Sequence, residues 1–239
     1  MVDDNQKIEV HPDGSAIVSA HLPFLLNPFD AIAVEEAVRI REQRDGETEI
    51  LAVTIGEEVC QDELRTALAM GADRALLVVC SQPPDPWNVA RILRAVAQRE
   101  QPDLVLMGKQ AVDDDSNQVG QFLAALLDWP QATFASRLNF VDNGLRVARE
   151  TDAGLETVIV SLPAVVTTDL RLNEPRYASL TSILKARKQS IDQFCLTDLA
   201  VELEPRLEIR HLETTASARS CQWVTSAAEL VDRLRRETH

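Results

Sequence analysis

Short apolar runs alternate with longer amphipathic segments through residues 49–127, and this alternation restricts the possible folds more than any other feature of the sequence. The apolar runs have the length and composition of buried strands, which we predict at residues 49–55, 74–79 and 103–108. The amphipathic segments carry apolar residues at helical spacing, which predicts helices at residues 28–45, 60–73, 87–100 and 117–127.

Strands that are apolar throughout and alternate with helices are typical of a parallel sheet with helices on both faces. We therefore predict an α/β fold in which a parallel sheet is flanked by helices in three layers.

The pattern changes beyond Pro130. Two short strands are predicted within residues 136–150, around an Asp-Asn-Gly hairpin signal, and two more within residues 155–169, separated by Pro163. Later segments predict a short helix, a strand and a terminal amphipathic helix at residues 176–188, 204–212 and 226–237. We expect an α/β domain at residues 1–188, extended by this hairpin, and a C-terminal arm at residues 189–239 that packs on another protein surface.

The overall charge argues against several classes of function. The net charge is −14 and the sequence pI is about 4.7, which does not favour a nucleic-acid partner because phosphate binding needs clustered cations. No apolar run reaches the length of a membrane span, so we expect no direct membrane insertion. The four cysteines and four histidines are scattered, which predicts reduced thiols, a cytoplasmic location and no metal site.

Three consecutive aspartates, Asp113, Asp114 and Asp115, follow the predicted strand at residues 103–108. A calcium loop would need glycine where Gln118 stands and glutamate where Ala124 stands, so the metal interpretation fails. A catalytic acid-base pair is also disfavoured, because adjacent carboxylates rarely face each other across a substrate.

The position of the aspartates supports a different interpretation. Ligands of open α/β sheets bind beyond the carboxyl ends of the strands. Here a polar loop brings Ser116 and Asn117 to a helix start, where both are favourable N-caps and free amides can bind a phosphate. A nucleotide site and a simple capped helix both remain open. The sequence has no P-loop, Rossmann fingerprint or nucleophile elbow, and we predict no catalytic residues and no enzyme activity.

Two long stretches, GKQAVDDDSNQVGQFLAALLDWPQATFAS and LPAVVTTDLRLNEPRYASL, resemble the signature segments of the electron transfer flavoprotein β subunit family. NPFDAIAVEEAVRIRE and RTALAMGADRA are also similar to that family, and the resemblance covers about residues 3–190. It implies a Rossmann-like, three-layer, adenine-nucleotide-binding fold. It also implies a heterodimer with an α subunit, FAD held mainly by the α subunit, and a structural AMP in the β subunit. Electrons would arrive from acyl-CoA and related dehydrogenases of fatty acid β-oxidation and leave to a membrane quinone oxidoreductase.

The resemblance also assigns site residues. Those implied for AMP are Asn27, Pro28, Phe29, Asp30, Ile55, Gly108, Lys109, Gln110, Asp113, Asp114, Asp115, Ser116, Asn117, Gln118 and Val119. Those implied for partner recognition are Tyr177, Ala178, Ser179, Leu180, Ile183, Leu184, Lys185, Arg187 and Lys188. The resemblance implies that Leu180 is an anchor in a dehydrogenase pocket, whereas the residue read on its own is better explained as a helix-packing residue. Lys185, Arg187 and Lys188 form a docking face or a solvated helix end.

The sequence departs from the family in two places. The family's opening apolar strand has no counterpart before residues 3–14, so we expect that strand to be missing and AMP affinity to be reduced. Thr181 and Ser182 stand where the family commonly has Pro-Asn. This difference weakens any inference about which dehydrogenases dock.

Two alternatives to the AMP-type β subunit remain. One is the electron-bifurcating type with a second FAD, which is disfavoured because Asp114 stands where that type has glycine. The other is an adenylate-using α/β enzyme. For location, we expect the cytoplasm in a bacterium or the mitochondrial matrix in a eukaryote, although the sequence shows no transit peptide.

Overall fold

The computed structural model of the chain divides into two compact units. The larger unit comprises residues 1–7 and 19–209, and the smaller joins residues 8–18 to residues 210–239. The residues that the structure describes are 1, 8–18, 22–44, 48–214 and 221–237.

Helices and strands alternate through residues 28–127 of the larger unit, as the sequence predicted. The helices are α1 (Pro28–Gln43), α2 (Gln61–Met70), α3 (Pro86–Glu100), α4 (Val119–Leu127) and α5 (Leu180–Ala186). The strands are β1 (Leu51–Gly56), β2 (Arg74–Val79), β3 (Leu104–Gly108), β4 (Gln131–Val141), β5 (Gly144–Thr151), β6 (Gly154–Val160), β7 (Ala164–Thr168) and β8 (Asp192–Cys195). Short 3-10 helices lie at Glu58–Cys60 and Leu196–Leu199.

The strands form two sheets in place of the single parallel sheet that we predicted. One sheet has the order β1-β2-β8 and is parallel throughout. The other has the order β3-β7-β4-β5-β6, in which β3, β7 and β4 are parallel and β4, β5 and β6 form an antiparallel meander. Both β1 and β3 are edge strands, and the residues of both are only partly buried.

Helices cover both faces of the sheets. Leu77 of β2 packs in one buried cluster with Val38 of α1 and Leu64 of α2. Its neighbour Leu76 points to the opposite face, where it packs with Ile92 of α3. The three-layer α/β class predicted from the sequence is thereby confirmed.

The hairpin beyond Pro130 is longer than predicted. β4 and β5 pair from Ala135 to the two-residue loop Asp142-Asn143, and β4 also runs back to Gln131, which pairs in parallel with Val165 of β7. This second pairing extends the strand beyond the range that hairpin patterning alone could indicate.

The sequence interpretation of the C-terminal region needs two corrections. No strand forms at residues 204–212; instead Asn88 of α3 exchanges hydrogen bonds with the Glu204 backbone, Nδ2 donating to O at 3.0 Å and Oδ1 accepting from N at 3.1 Å. The strand β8, only four residues long and too polar to stand out in the sequence, pairs with β2. Residues 189–209 therefore fall in the larger unit, while the packing of a C-terminal arm on another protein surface stays a prediction.

The smaller unit contains an isolated antiparallel bridge between Val10 and Ile17 and the predicted terminal helix, α6 (Ala227–Glu237). Residues 2–7, within the region of the expected missing strand, lie outside the described residues. In the part of the chain that is described, no helix is long and apolar enough to cross a membrane.

Candidate nucleotide site and docking segment

The loop at residues 108–118 leaves the carboxyl end of β3 and leads into α4, and it lies against the start of α1. Asn27, immediately before α1, is buried and makes two of the contacts. Its Nδ2 donates to the carbonyl oxygen of Gln110 at 2.8 Å, and its Oδ1 accepts from the amide of Val112 at 3.3 Å. Asn27 therefore ties the loop to the helix start.

Asp30, in the first turn of α1, makes the third contact. Its Oδ1 accepts from the amide of Gly108 at 2.6 Å, and its Oδ2 accepts from Asn27 Nδ2 at 2.7 Å. Burial raises the pKa of Asp30 above its ordinary value of 3.8, although both hydrogen bonds act in the opposite direction. Both carboxylate oxygens of Asp30 are therefore used in hydrogen bonds within the chain.

Gly108 is required by the close approach of α1. A Cβ atom at this position would lie 2.7 Å from Cβ of Phe29 and 3.0 Å from the amide nitrogen of Asp30. Any side chain at residue 108 would therefore push the helix start away from β3.

The three aspartates are exposed, and two of them organise the loop. Asp114 accepts from the amide and hydroxyl of Ser116 at 3.1 and 3.2 Å, and Asp115 accepts a short hydrogen bond from Gln110 Nε2. Asp115 and Asn117 have positive φ angles of 52° and 50°, a conformation that Asp and Asn tolerate better than most residues. Within the described residues, no group of three His, Cys, Asp or Glu side chains could hold a metal ion.

The N-terminus of α4 has no side-chain cap. We expected Ser116 or Asn117 to cap it, but the N-cap position is Gln118, whose side chain makes no capping hydrogen bond. Ser116 is engaged by Asp114, and Asn117 Oδ1 accepts from Gln121 Nε2 at 3.2 Å. The first-turn amides of an α-helix have no acceptor within the helix, so those of α4 remain available to an external oxygen.

Gln121, in the same first turn, was missed by the sequence analysis. Its Oε1 atom is buried and has no hydrogen-bond partner in the described structure. A buried oxygen without a donor is costly, which suggests that a ligand or water supplies one. Only the structure could reveal this, because glutamine within an apolar helix carries no distinctive sequence signal.

Lys109 turns away from the aspartate loop. Its Nζ lies 2.9 Å from Asp169 Oδ2 and stacks over the rings of Phe29 and Phe134 at 4.9 and 5.3 Å. Lys109, Phe134 and Asp169 line a cavity of about 620 Å³, and Phe134 has an unusual φ of 59°. A nucleotide contact by Lys109 remains a prediction, as does one by Ile55, which stands at the carboxyl end of β1 in the other sheet.

A second surface is formed by residues 177–188, which we call the docking segment. The side chains of Tyr177 and Leu180 are 97% and 71% exposed, and Leu184 is also exposed. The interpretation of Leu180 as a helix-packing residue is wrong, because Ala186 is the buried residue of α5. Ser179 caps α5, its Oγ accepting from the amide of Ser182 at 3.1 Å.

The ion pairs beside the docking segment were also missed. Glu35, on α1, is bound by Arg176 and Arg39, each at 2.7 Å, and its side chain is 3% exposed. Burial alone would raise the pKa of Glu35, but the hydrogen bonds from Arg176 and Arg39 outweigh burial and the pKa is lowered. Glu35 falls on the helix face that also buries Ile32 and Val38, so a glutamate at a core position was the available signal.

These features define a class: a three-layer α/β protein in which a helix without a side-chain cap follows an edge strand, and in which a separate segment exposes apolar side chains. A family model described as "Electron transfer flavoprotein domain" matches residues 15–199. The electron transfer flavoprotein subunit beta of Bradyrhizobium diazoefficiens is 49% identical over 237 residues, covering 99% of this chain and 95% of that protein. The mitochondrial subunit beta of Arabidopsis thaliana is 47% identical, with 100% and 96% covered, and the human subunit beta is 46% identical, with 98% and 93% covered.

The chain therefore belongs to the electron transfer flavoprotein family, as a β subunit, and is an electron carrier protein rather than an enzyme. The family resemblance and the α/β class predicted from the sequence are both confirmed.

The raised pKa of Asp30 predicts a specific pH dependence of stability. Because the folded-state pKa lies above 3.8, the folded chain binds the proton more tightly than the unfolded chain. The contribution of Asp30 to the free energy of unfolding should therefore fall as the pH rises from 3.8 through the raised pKa. Urea unfolding at several pH values should show wild type losing stability relative to Asp30→Asn across this range.

Asp13→Asn is the matched control. The side-chain and backbone hydrogen bonds from Ser15 lower the pKa of Asp13, so wild type should gain stability relative to this variant as the pH rises towards 3.8. A stability difference between wild type and Asp30→Asn that does not change with pH would contradict the account of Asp30.

Proposed function

We propose that the chain forms a heterodimer with an electron transfer flavoprotein α subunit, buries a structural AMP, and helps to enclose an FAD held mainly by that subunit. Electrons from acyl-CoA and related dehydrogenases of fatty acid β-oxidation pass through this complex to a membrane quinone oxidoreductase. When bound, the FAD supplies the redox chemistry. The residues of this chain shape the nucleotide site, bind the ligand and the partner, and position them. The complex operates in the bacterial cytoplasm or the mitochondrial matrix, the latter matching the names of the plant relatives.

The uncapped N-terminus of α4 is the observation that carries the AMP proposal. A helix N-terminus presents several amides and a partial positive charge to an anion. Here neither Ser116 nor Asn117 occupies those amides, although both are good capping residues. The AMP phosphate accepts from the amides of the first turn, beginning at Val119.

The buried Gln121 Oε1 adds a second requirement that AMP can meet. This oxygen needs a donor, and a phosphate at neutral pH has few protons to donate. The ribose hydroxyls or the adenine amino group of the same nucleotide supply that donor. One ligand thus satisfies both the amides and the isolated oxygen.

Asn27 and Asp30 act on the nucleotide indirectly. Their side chains hydrogen-bond to the backbone of Gly108, Gln110 and Val112, so they fix the backbone that faces the ligand. Their proposed role is to shape the site, and any direct ligand contact near them comes from backbone atoms or from Pro28 and Phe29.

The docking segment fits a dehydrogenase surface with an apolar pocket and acidic surroundings. Tyr177 and Leu180 offer exposed apolar groups, and aromatic and aliphatic anchors of this kind dominate many interfaces. Lys185, Arg187 and Lys188 concentrate positive charge at one end of the segment in a chain of net charge −14.

Co-expression with an electron transfer flavoprotein α subunit tests the proposed function. We expect a yellow 1:1 complex whose heat extract contains one FAD and one AMP, and whose flavin is reduced by an acyl-CoA dehydrogenase and its substrate. Two FAD per heterodimer would replace the AMP proposal with the bifurcating alternative. A colourless chain that never associates would contradict the proposal as a whole.

The variant Gln118→Asp tests the phosphate position. An aspartate at the N-cap supplies an internal acceptor for the first-turn amides and repels the phosphate. We expect about tenfold or greater loss of AMP affinity by calorimetry, corresponding to about 1.4 kcal/mol, with thermal stability kept or raised.

Gln118→Asn is the matched control, because asparagine also caps helices but carries no charge. It should weaken AMP binding less than Gln118→Asp. Equal AMP affinity in wild type and Gln118→Asp would show that the phosphate binds elsewhere.

A further inference from the structure

The docking segment is exposed in its middle but held at both ends by arginine side chains. Just before the segment, Arg176 binds two glutamates of α1. Its Nε donates to Glu35 Oε2 at 2.7 Å and its Nη2 to Glu35 Oε1 at 3.1 Å, while Nη1 donates to Glu42 Oε1 at 2.7 Å. The backbone amide of Arg176 also donates to Glu35 Oε2 at 3.2 Å, so both the side chain and the main chain are fixed.

Asn173 strengthens the same attachment three residues earlier. Its Nδ2 donates to the carbonyl oxygen of Ile32 at 3.1 Å and to Glu36 Oε2 at 2.9 Å. The chain entering the docking segment is therefore bound along one side of α1 at Asn173 and Arg176.

Arg65, on α2, holds the other end. Its Nη1 lies within hydrogen-bond distance of the carbonyl oxygens of Ala186, Arg187 and Gln189, at 2.9, 3.2 and 3.3 Å. Helical hydrogen bonding ends at these carbonyl groups, and the guanidinium supplies an additional donor there, although the Ala186 carbonyl also accepts from the amide of Gln189 at 3.2 Å. Ala186 is buried in the same cluster as Leu64, which keeps this end of the segment against α2.

These attachments matter because α5 is only seven residues long. A helix of this length is not stable by itself in water, so its shape must come from contacts outside it. Tyr177 and Leu180 contribute little to those contacts, since both are largely exposed. The energy that orders the segment is supplied by residues that a partner would not need to touch.

We propose that Arg65 and Arg176 are positioning residues that hold the docking segment in its bound shape, so that Leu180 and Tyr177 enter an apolar, acid-rimmed pocket of a dehydrogenase with little loss of conformational entropy. Binding by a preformed surface avoids the cost of ordering loops and side chains at the interface. This inference rests on the docking role proposed above for the segment.

Arg65 is the better residue to substitute. Removing Arg176 would leave Glu35 buried with one of its two arginines missing, which threatens folding itself. Arg65 binds only neutral carbonyl groups among its described contacts, so Arg65→Gln removes a positioning contact without stranding a charge.

The experiment uses the purified heterodimer, an acyl-CoA dehydrogenase and its acyl-CoA substrate, with flavin reduction as the signal. Four forms are compared: wild type, Arg65→Gln, Leu180→Ala and the double variant. Arg65→Gln should raise the KM for the heterodimer about tenfold and change kcat less than about twofold, because pocket entry is impaired while electron transfer in the complex is kept. In the double variant, Arg65→Gln should add little to the effect of Leu180→Ala, because both act on the same contact.

A structural measurement accompanies the kinetics. Amide exchange at residues 183–189 should be faster in Arg65→Gln, while the thermal midpoint of the heterodimer stays close to that of wild type. Arg65→Lys, which retains a donor, should have a KM between those of wild type and Arg65→Gln. Arg94→Gln, an exposed arginine on α3, is the control and should leave both KM and exchange unchanged.

Three results overturn the inference, and they can be told apart. If Leu180→Ala raises KM but Arg65→Gln does not, the docking role stands and the positioning role is wrong. If Leu180→Ala leaves KM unchanged, the docking role itself is wrong and the inference falls with it. Fully additive effects in the double variant would also overturn it, because Arg65 would then act independently of Leu180.

Discussion

The contacts of Asn27 and Asp30 with the loop after β3 are the interaction on which the candidate site depends. They join two segments about 80 residues apart in the chain: the start of α1 and residues 108–112. Gly108 permits the approach, because a Cβ there would meet the helix backbone. With the loop fixed in this way, Asp114 accepts from Ser116 and Asp115 accepts from Gln110. The N-terminus of α4 is left without a side-chain cap.

The same helix also contacts the second proposed surface. Asn27 and Asp30 at the start of α1 hold the loop at residues 108–112, whereas Glu35, Glu36 and Glu42 further along hold the chain that enters the docking segment. Buried carboxylates are costly unless they are paired or hydrogen-bonded, and on α1 each buried carboxylate has such a partner. One helix therefore contacts both the proposed nucleotide site and the proposed docking surface.

The sequence predicted the parts of the fold that local pattern controls. Apolar runs and helical spacing located every α-helix and strand from α1 to α4, while the site residues that the two signature stretches imply stay a prediction. The sequence could not predict long-range contacts. The strand β8 is defined by its pairing with β2, and the role of Arg65 is defined by hydrogen bonds to carbonyl groups more than 120 residues away in the chain. The predicted caps failed for a local reason, since Ser116 and Asn117 hydrogen-bond to Asp114 and Gln121 instead of the helix amides.

Amide exchange of the heterodimer with and without AMP shows whether AMP binds at the loop held by Asn27 and Asp30. We expect slower exchange with AMP at residues 108–112 and in the first turn of α4, with no change at residues 177–188. Protection confined to other parts of the chain, or equal exchange with and without AMP, would contradict it.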